Sequence, residues 1–381
     1  MIDYNYLTLQ NPWWRNAAAI EEDDKIKEFE SLKFQYYPTQ ILDAPLRAGD
    51  IILIAGPRQT GKSTAIKLLI RKLIQNKWNP HHLFYFNCDA LSNEKDVIDL
   101  IIQCQEVTES KKTVIFLDEI SSVPNWPQGI KWLADAGLTK STTLFLTGSS
   151  SINLKKSGEL LPGRRGRGKD IHFLPISFSE YLALHDVHID PIGTVTVKKL
   201  AELTDMKHMV HKHYQAFLST GGFLRNINYG ITETGNDLYL KTLKSELYKV
   251  GKKEDNLREV VRKILSSLSS QTSYTNIAEE AELGSKNTAI DYLNFLADSF
   301  FIKEMKFWDI ASSRVVLKKN KKFYTIDPYL VWLFEAFVTG NVSFQSFFRL
   351  IDESRLAENF VASELLKAGH DAYFYQNAAE L

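Results

Sequence analysis

The stretch IILIAGPRQTGKSTAIKLLI, residues 51–70, decides the fold of the first half of the chain. It begins with a short apolar run, passes through a loop of the form G-x-x-x-x-G-K-[ST], and ends in apolar residues at helical spacing. A strand before the loop and an amphipathic helix after it are the context in which this pattern binds phosphate. The stretch therefore predicts a Walker A phosphate loop, and an ordinary glycine-rich turn is the disfavoured alternative.

Each residue type in this loop has a chemical reason. Gly56 and Gly61 let backbone N–H groups turn toward a phosphate without a clash from a Cβ atom, and the new helix presents its positive N-terminal end to the same anion. Lys62 can reach the β- and γ-phosphates, and the Ser63 hydroxyl is a ligand for Mg²⁺. The residues that we expect to contact ATP and Mg²⁺ are Gly56, Pro57, Arg58, Gln59, Thr60, Gly61, Lys62, Ser63 and Thr64.

The segment TVIFLDEIS, residues 113–121, supplies the predicted Walker B motif. Its apolar run ends in Asp118 and Glu119, and ligands of parallel sheets bind beyond the carboxyl ends of the strands. Asp118 is suited to hold Mg²⁺, usually through water, and Glu119 is placed as a catalytic residue that orients and deprotonates the attacking water. Two solvated acids at the end of a core strand are the alternative, which a preceding phosphate loop disfavours.

The predicted nucleotide base is adenine. Proteins specific for guanine carry an N-K-x-D type of signature after a later strand, and none is visible in this sequence. The tetrapeptide NEKD at 93–96 comes before Asp118 and lacks that order.

The segment TTLFLTGSS, residues 142–150, offers hydroxyl groups after a further predicted strand. One interpretation is that they hold the nucleophilic water or the γ-phosphate, and the other is that they belong to a polar loop. The hydroxyl side chains concerned are Thr147, Ser149 and Ser150.

The segment LPGRRGRGKD, residues 161–170, carries Arg164, Arg165 and Arg167. Guanidinium groups stabilise the charge that grows on a transferring phosphoryl group. One interpretation is an arginine finger, acting in cis or from a neighbouring subunit of a homo-oligomer, with Arg164 as the first candidate for a catalytic role. The other interpretation is a solvated basic loop.

Short apolar runs alternate with helical stretches from Asp50 to about residue 190. Runs of β-branched and aromatic residues bounded by turn residues predict buried strands. Strands that alternate with helices predict an α/β fold with a parallel sheet covered on both faces. The runs are IILIA (51–55), LFYFNC (83–88), TVIFLD (113–118), TLFLTG (143–148) and IHFLP (171–175).

Length and composition set broad limits. The 381 residues predict about two to four domains. Lys and Arg total 46, as do Asp and Glu, so the net charge indicates no partner. Cys88 and Cys104 are too few for a disulfide framework, and neither a signal peptide nor a membrane span is visible. We therefore expect a cytoplasmic protein with reduced thiols and no membrane partner.

Together these segments resemble the bacterial and archaeal AAA-like, STAND-related P-loop ATPases with a winged-helix module and a C-terminal PD-(D/E)XK nuclease-like domain. The resemblance spans roughly residues 10–381 and implies an AAA-like sheet, ATP with Mg²⁺, and the roles given above for Lys62, Asp118 and Glu119. The matching segments are GPRQTGKST (56–64), FLDEISSVPNW (116–126), TGSSS (147–151), GRRGR (163–167), LPISFSEY (174–181) and STGGF (219–223).

One position departs from the family pattern. Family members often have proline after the Gly-Gly-Phe of the last segment, whereas this chain has Leu224. If that proline helps a helical lid to sense nucleotide, the sensing role is in doubt here, and Arg225 becomes a candidate for a phosphate contact.

Residues 267–305 predict a helix–turn–helix followed by the first strand of a wing. Apolar residues at helical spacing flank Gly284, and Ser285 is a natural N-cap for the second helix. Between Lys303 and Lys322 there are seven basic residues and two acidic ones. This basic stretch, 303–322, predicts salt-sensitive contacts with DNA. A winged helix that packs against the ATPase, with lysines on a solvated hairpin, is the alternative.

The C-terminal residues resemble the start of the family's nuclease-like domain. FYTIDPYLVWLF (323–334) and RLAENFVASELLKAG (355–369) match its first strand and helix, and Glu358 and Glu380 match acidic positions. The Asp and the Glu-x-Lys that such a nuclease also needs do not appear before Leu381, so nuclease activity is not assigned. At the other end, Trp13 and Trp14 match the family's N-terminal arm and are expected to pack against their own domain.

These observations predict five segments and one principal function. We expect an ATPase that hydrolyses ATP with Mg²⁺ to drive a conformational switch of its lid and winged helix. A nucleotide-regulated DNA-binding protein and a nucleotide-binding scaffold without turnover are the alternatives. The predicted segments are an N-terminal arm (1–45), a P-loop ATPase core (46–190), a helical lid (191–250), a winged helix (251–318) and a partial α/β nuclease-like domain (319–381).

Overall fold

The computed structural model of the protein describes residues 4–108, 112–148, 161, 163–189, 197–342 and 353–375. The chain divides into two compact units, Met1–Leu174 and Pro175–Leu381. The finer division into five segments stays a prediction.

A five-stranded parallel sheet forms the centre of the first unit, with the strand order β2-β3-β4-β1-β5. Strands β1, β3 and β4 are buried along their whole length, which is why they are apolar on both faces. The predicted α/β fold of a P-loop NTPase is thus confirmed. The strands are β1 (Ile51–Ala55), β2 (Leu83–Asn87), β3 (Thr113–Asp118), β4 (Thr142–Gly148) and β5 (Asp170–His172).

The order of the strands brings their functional ends together. In the parallel register Leu117 of β3 lies beside Leu146 of β4, and Thr147 lies beside Ile54 of β1. The carboxyl ends of β1, β3 and β4 therefore meet at one edge of the sheet, where parallel α/β sheets bind ligands. The helices of this unit are α1 (Tyr4–Gln10), α2 (Asp24–Glu30), α3 (Thr39–Leu42), α4 (Lys62–Gln75), α5 (Glu94–Thr108) and α6 (Trp126–Asp135).

The N-terminal arm covers the free edge of β2. The indole N–H groups of Trp13 and Trp14 both donate to the Leu83 carbonyl, at 2.9 and 3.0 Å. The Asn11 side chain accepts from the backbone N–H of Tyr85 at 2.7 Å and donates to its carbonyl at 2.9 Å. Side chains of the arm thereby satisfy an edge that would otherwise expose unpaired backbone groups. The packing role predicted for the two tryptophans is confirmed, since both are buried.

The second unit is mainly helical. The described part of residues 191–250, predicted as a helical lid, is largely helical, with a break at Gly221–Gly222. The helices are α7 (Phe178–Leu184), α8 (Val197–Thr220), α9 (Leu224–Tyr229), α10 (Glu233–Lys249), α11 (Glu254–Ser266), α12 (Tyr274–Glu280), α13 (Lys286–Asp298), α14 (Tyr329–Thr339) and α15 (Glu353–Lys367).

Helices α12 and α13 form the helix–turn–helix that the sequence predicts. The Ser285 hydroxyl accepts the backbone N–H of Thr288 at 3.1 Å and caps α13. Two antiparallel strand pairs follow, β6 with β9 and β7 with β8, and the winged helix stays a prediction. Their strands are β6 (Ile302–Met305), β7 (Trp308–Asp309), β8 (Arg314–Val315) and β9 (Lys322–Thr325).

The prediction for residues 323–334 is wrong over most of its length. The sequence indicated an aromatic strand, but the strand ends at Thr325 and α14 begins at Tyr329. An Asp327 carboxylate oxygen accepts the backbone N–H of Tyr329 at 3.0 Å at the start of this helix. Eight of the eleven residues of α14 are buried, so it has no polar face and its periodicity did not reveal a helix. Helix α15 confirms the helix predicted near Ala357–Ala368.

Candidate nucleotide site

The phosphate loop connects β1 to α4, and its two glycines are required for different reasons. A Cβ atom on Gly56 would lie 2.0 Å from the Phe173 carbonyl oxygen, so only glycine fits beside the chain that follows β5. Gly61 has a φ of 93°, in the left-handed region, and occupies the N-cap position of α4. The loop therefore leads from the end of β1 directly into the N-terminus of α4, and helix N-termini attract phosphate.

Lys62 is held inside this loop. Its Nζ donates to the carbonyl oxygens of Gly56 and Pro57, each at 2.8 Å, and the residue is only 5% exposed. The Thr60 hydroxyl also donates to the Pro57 carbonyl, at 2.9 Å. The ammonium group is thus fixed at the mouth of the loop, while Ser63 and Thr64 at the start of α4 stay partly exposed.

The two predicted acids lie at the carboxyl end of β3. Asp118 is buried, and its two carboxylate oxygens accept different hydroxyl groups, that of Tyr85 at 2.9 Å and that of Thr147 at 2.5 Å. Glu119 has a φ of 53° in the left-handed region, and its backbone N–H donates to the same Thr147 hydroxyl oxygen at 2.9 Å. Thr147 therefore joins the two acids, whereas Ser149 and Ser150 lie outside the described residues.

Electrostatics connect the acids to the phosphate loop. Burial raises the pKa of Glu119 above its usual range, and the neighbouring charges of Asp118 and Asp89 act in the same direction. Lys62 and Arg58 lower that pKa in part, which means that both cations act on the Glu119 carboxyl. The structure thus brings Lys62, Arg58, Asp118 and Glu119 together, and the raised pKa keeps Glu119 more basic than an exposed glutamate.

The donor set suits Mg²⁺ as it is held in phosphate-loop proteins. No group of three or more His, Cys, Asp or Glu residues able to hold a metal ion occurs in the part of the chain that the structure describes. Mg²⁺ in a phosphate loop needs only one hydroxyl and one carboxylate from the protein, because phosphates and water supply its other oxygens. Ser63 and Asp118 provide that pair, and both offer the hard oxygen atoms that Mg²⁺ prefers.

Arg164 lies away from this group. Its guanidinium makes a two-point ion pair with Asp135, the last residue of α6, with Nε–Oδ1 and Nη2–Oδ2 distances of 2.5 and 3.2 Å. Its neighbour Arg165 bonds the Ile51 carbonyl at 3.4 Å, at the start of β1. A strand rises about 3.3 Å per residue, so the start of β1 and Gly56 are roughly 16 Å apart. The structure therefore does not place Arg164 beside its own phosphate loop, contrary to a finger in cis.

Comparisons with known proteins agree on the class of the first unit. Residues 48–182 match the family model described as an AAA domain, and residues 211–334 match one described as a domain of unknown function, DUF8612. An uncharacterized protein of Methanocaldococcus jannaschii, MJ1544, is 24% identical over 340 residues, which cover 86% of this chain and 69% of that protein. The AAA-domain match, the parallel sheet and the phosphate loop together indicate a nucleotide-binding P-loop ATPase domain.

Two solved structures also align over most of the chain. The ORC2 protein of Aeropyrum pernix, in its ADPNP–ADP complexes, is 12% identical with a TM-score of 0.42, covering 83% of this chain and 94% of that one. The Walker-type ATPase of Pyrococcus abyssi is 13% identical with a TM-score of 0.43, covering 83% and 95% respectively.

Tyr85 is a member of the site that sequence reasoning missed. It lies in the middle of β2, where its aromatic side chain counted only as part of a buried strand. Its hydroxyl reaches Asp118 because β2 pairs with β3 in parallel, with Asn87 beside Asp118. No local sequence motif determines which strands are neighbours in the sheet, so the sequence did not predict this contact.

Gly221 and Gly222 of the second unit lie beside the buried carboxylate of Asp327. A Cβ atom on Gly221 would lie 1.7 Å from an Asp327 carboxylate oxygen, and one on Gly222 would lie 2.0 Å from the Ile176 carbonyl oxygen. Asp327, which has no exposed surface, accepts the Gly222 N–H at 2.8 Å and the Lys367 ammonium at 2.9 Å. The STGGF segment thus has a packing role within its own unit. A phosphate contact by the exposed Arg225 stays a prediction.

The basic stretch 303–322 is less free than its composition indicates. Lys321 is buried and donates to the carbonyls of Leu317 and Lys319, each at 2.7 Å. Lys322 pairs with Glu358 at 2.8 Å, so the acidic position of the predicted nuclease-like domain is occupied by an internal ion pair. Glu380 lies outside the described residues. The exposed basic side chains are Lys303, Lys306, Arg314, Lys318 and Lys319.

No helix among the described residues is long and apolar enough to span a membrane. Cys88 and Cys104 are both buried free thiols.

Proposed function

We propose that the protein binds ATP with Mg²⁺ in the Gly56–Thr64 loop and hydrolyses it, with Glu119 as the general base. The observation that carries the proposal is the Thr147 hydroxyl, which bonds both the Asp118 carboxylate and the backbone N–H of Glu119, whose carboxyl lies within the electrostatic reach of Lys62. A base is effective when it is held rigidly and its pKa is nearer to neutrality than that of an exposed carboxyl group. Both conditions favour hydrolysis over passive nucleotide binding.

Each residue of the site has a separate task in this proposal. Backbone N–H groups of the loop and the N-terminus of α4 hold the phosphates, while Lys62 neutralises charge on the β- and γ-phosphates. Ser63 and Asp118 would hold Mg²⁺, which supplies further neutralisation of charge on the phosphates. Glu119 orients a water molecule toward the γ-phosphate and accepts its proton.

The purpose of hydrolysis, in this proposal, is a conformational switch of the lid (191–250) and the winged helix (251–318). Binding energy moves such a switch only if the two nucleotide states bind its two conformations with different affinity. The resemblance to AAA-like ATPases supports a conformational switch of this kind. We further propose a cytoplasmic location, which the two buried free thiols support because such thiols persist in reducing compartments.

Phosphate release by the wild type and by two variants tests the proposal. Glu119→Gln should lower turnover about 100-fold or more while ATP still binds, since only the base is lost. Lys62→Ala should remove ATP affinity, since it deletes the charge that faces the β- and γ-phosphates. Tight ATP binding without turnover by the wild type would favour the scaffold alternative, and ATP binding that survives Lys62→Ala would place the site elsewhere.

DNA binding is a second candidate function, and one observation favours it. Lys286, at the start of α13, and Lys321 both lie over the Tyr274 ring, with Nζ 5.9 and 4.8 Å from its centre. Burial lowers the pKa of Lys321, the Glu304 carboxylate raises it in part, and the charges of Lys286 and Lys306 lower it, so two further cations act on this lysine beside one acid. The exposed members of this group adjoin the basic stretch, and such a face attracts nucleic-acid phosphates.

The DNA-binding candidate makes its own prediction about salt. Duplex DNA should bind with an affinity that falls steeply as the salt concentration rises. Lys286→Ala combined with Lys306→Ala should make the plot of log affinity against log salt concentration less steep, by the amount expected for the loss of about two phosphate contacts. The binding should depend on nucleotide if the winged helix responds to the ATPase. If the affinity for DNA changes neither with salt nor with the two substitutions, this face has a packing role and does not bind DNA.

A further inference from the structure

Three contacts form a continuous path from the N-terminal arm to Asp118. Asp23 pairs with Lys67 of α4 at 3.0 Å. The Lys67 ammonium lies 3.7 Å from the centre of the Tyr85 ring, and the Tyr85 hydroxyl donates to Asp118 at 2.9 Å. Lys67, Tyr85 and Asp118 are each less than a tenth exposed, so solvent does not screen these contacts strongly.

The arm determines where Lys67 points. Besides Asp23, the arm contributes Trp13, whose ring centre lies 4.8 Å from the Lys67 ammonium. The ammonium therefore lies between two aromatic rings, one from the arm and one from β2, with an arm carboxylate as its counter-ion. Cation–π contacts are stronger for a buried lysine than for an exposed one, because the cation is desolvated. The arm therefore contacts the same ammonium group that lies against the Tyr85 ring.

Tyr85 in turn holds one of the two carboxylate oxygens of Asp118. The Thr147 hydroxyl binds the other oxygen, so both sides of the carboxylate are fixed by neutral donors. Groups that hydrogen-bond to a metal-holding carboxylate set its orientation, and their loss typically reduces metal affinity about 10- to 100-fold. Removal of the Tyr85 hydroxyl leaves the Asp118 carboxylate oriented from one side only.

We propose that Tyr85 is a positioning residue for the Asp118 carboxylate and that the arm, through Asp23 and Lys67, sets this position and hence the affinity of the site for Mg²⁺. The proposal rests on the ATPase function proposed above. It makes the arm a regulator of nucleotide turnover, because undocking of the arm releases Lys67, then the Tyr85 ring, and then the orientation of Asp118.

The structural alternative is that these contacts only satisfy buried polar groups. Any buried tyrosine hydroxyl needs an acceptor, and any buried lysine needs a partner. In that case the substitutions below lower the stability of the fold but leave the dependence on Mg²⁺ unchanged. A readout based on Mg²⁺ therefore separates the two explanations.

The first test is Tyr85→Phe, which deletes only the hydroxyl group. Equilibrium binding of a fluorescent ATP analogue is measured in EDTA and during a titration with Mg²⁺, alongside steady-state phosphate release. For this variant we expect an affinity for the ATP analogue in EDTA within about twofold of the wild-type value, and a lower kcat. The Mg²⁺ midpoint, which is the Mg²⁺ concentration that gives half of the full change in binding, should be about 10-fold higher. An unchanged Mg²⁺ midpoint would overturn the positioning role.

The second test compares two lysines of α4 that both pair with the arm. Lys67→Met removes the cation that contacts Tyr85, whereas Lys72→Met removes one whose ammonium pairs with Asp43 at 2.6 Å. We expect Lys67→Met to raise the Mg²⁺ midpoint as Tyr85→Phe does, and Lys72→Met to leave it unchanged. The double variant Tyr85→Phe/Lys67→Met should be no worse than the more affected single variant, because both act on one path. Equal midpoints for the two lysine variants would overturn the role of the arm.

Asp23→Asn protects the test against loss of folding. Asp23 also caps α2 by accepting the Lys25 N–H at 2.9 Å, and asparagine keeps that cap while it removes the charge. This variant should shift the Mg²⁺ midpoint in the same direction as Lys67→Met, and a wild-type midpoint would count against the arm. Failure of the proposed function is seen separately, since the wild type would then show no Mg²⁺-dependent ATP binding or turnover.

Discussion

Thr147, one residue before the end of β4, donates its hydroxyl hydrogen to a carboxylate oxygen of Asp118, the last residue of β3, at 2.5 Å. The same hydroxyl oxygen accepts the backbone N–H of Glu119. A single hydroxyl therefore donates to Asp118, the proposed Mg²⁺ ligand, and accepts from the backbone of Glu119, the proposed base. The relative position of the two acids depends on this one side chain of β4.

Thr147→Val tests this dependence, because valine keeps the shape and deletes the hydroxyl. We expect kcat to fall about 10-fold or more, since the orientation of Asp118 and Glu119 is loosened, and ATP affinity in EDTA to stay close to that of the wild type. The free energy of unfolding should fall by about 1–3 kcal/mol, because an acceptor and a donor lose their partner in a buried place.

Thr143→Val is the matched control for Thr147→Val. Thr143 is a buried residue of the same strand, and its hydroxyl donates to the Arg47 carbonyl at 2.9 Å, at the amino end of the sheet. It should lose a comparable amount of stability while kcat stays near the wild-type value. Similar losses of kcat in both variants would mean that Thr147 acts through stability alone.

Gly222→Ala is expected to destabilise the second unit by about 3 kcal/mol, because its Cβ would lie 2.0 Å from the Ile176 carbonyl oxygen and a backbone group cannot yield cheaply. Chemical denaturation followed by circular dichroism measures the loss. Gly284→Ala is the control, since a Cβ there meets nothing within 4 Å, and we expect a change of about 0.5 kcal/mol or less. Equal effects at the two glycines would contradict the close approach.

Much of the site was predictable because it is local in sequence. The phosphate loop, Asp118 and Glu119 are set by spacing within short segments, and each lies at the end of a strand that its apolar run already indicated. Tyr85 was not predictable, because its role depends on which strands are neighbours. Local pattern also failed for α14, where burial on all sides removed the polar face that marks a helix.

The number of basic residues in a segment did not show how many of them are available to bind a partner. Lys321 and Lys322 count toward the basic stretch, yet one caps backbone carbonyls and the other pairs with Glu358. Arg164 follows the pattern of a phosphate-contacting loop, yet it pairs with Asp135 near the amino end of the sheet. Whether a cation is available depends on tertiary partners that no local spacing specifies.

Asp327→Asn should be among the most destabilising substitutions in the second unit. Lys367 is 3% exposed at its side chain and Asp327 is fully buried, and their N–O distance is 2.9 Å. Removal of the Asp327 charge leaves the buried Lys367 ammonium with Glu364, at 3.0 Å, as its remaining carboxylate partner, and we expect a loss of about 3 kcal/mol. Asp327→Asn/Lys367→Met removes both charges and should cost less than the sum of the single variants, by chemical denaturation. Strict additivity would show that the two groups do not stabilise each other.

Alkaline pH offers an independent measure of the same lysine. Burial lowers the pKa of Lys367, but the adjacent carboxylates of Asp327 and Glu364 more than offset it, so the pKa is raised above 10.5. Its contribution to stability is fully present below the unfolded pKa of 10.5 and is lost as the pH rises through the folded pKa. The free energy of unfolding should therefore decline in that window for the wild type, and the part due to Lys367 should be missing in Lys367→Met.

Arg164 supports a prediction about subunits, because its pairing with Asp135 keeps it away from its own phosphate loop. If Arg164 acts in trans, an Arg164→Ala chain keeps a complete phosphate loop and a Lys62→Ala chain keeps a complete arginine. Each variant alone should then be nearly inactive, whereas their equal mixture should regain about a quarter of the wild-type phosphate release, because about a quarter of the sites combine an intact phosphate loop with an intact neighbouring arginine.

Arg167→Ala is the control for this complementation. The backbone N–H of Arg167 donates to Asp50 at 2.8 Å, and the side chain of Arg167 is exposed. The Arg167→Ala variant should match the turnover of the wild type at every protein concentration. The specific activity of the wild type should itself rise with concentration as the assemblies form. A mixture of Arg164→Ala and Lys62→Ala chains that stays inactive would exclude the finger in trans and leave the Arg164–Asp135 pair as a structural contact between α6 and the arginine loop.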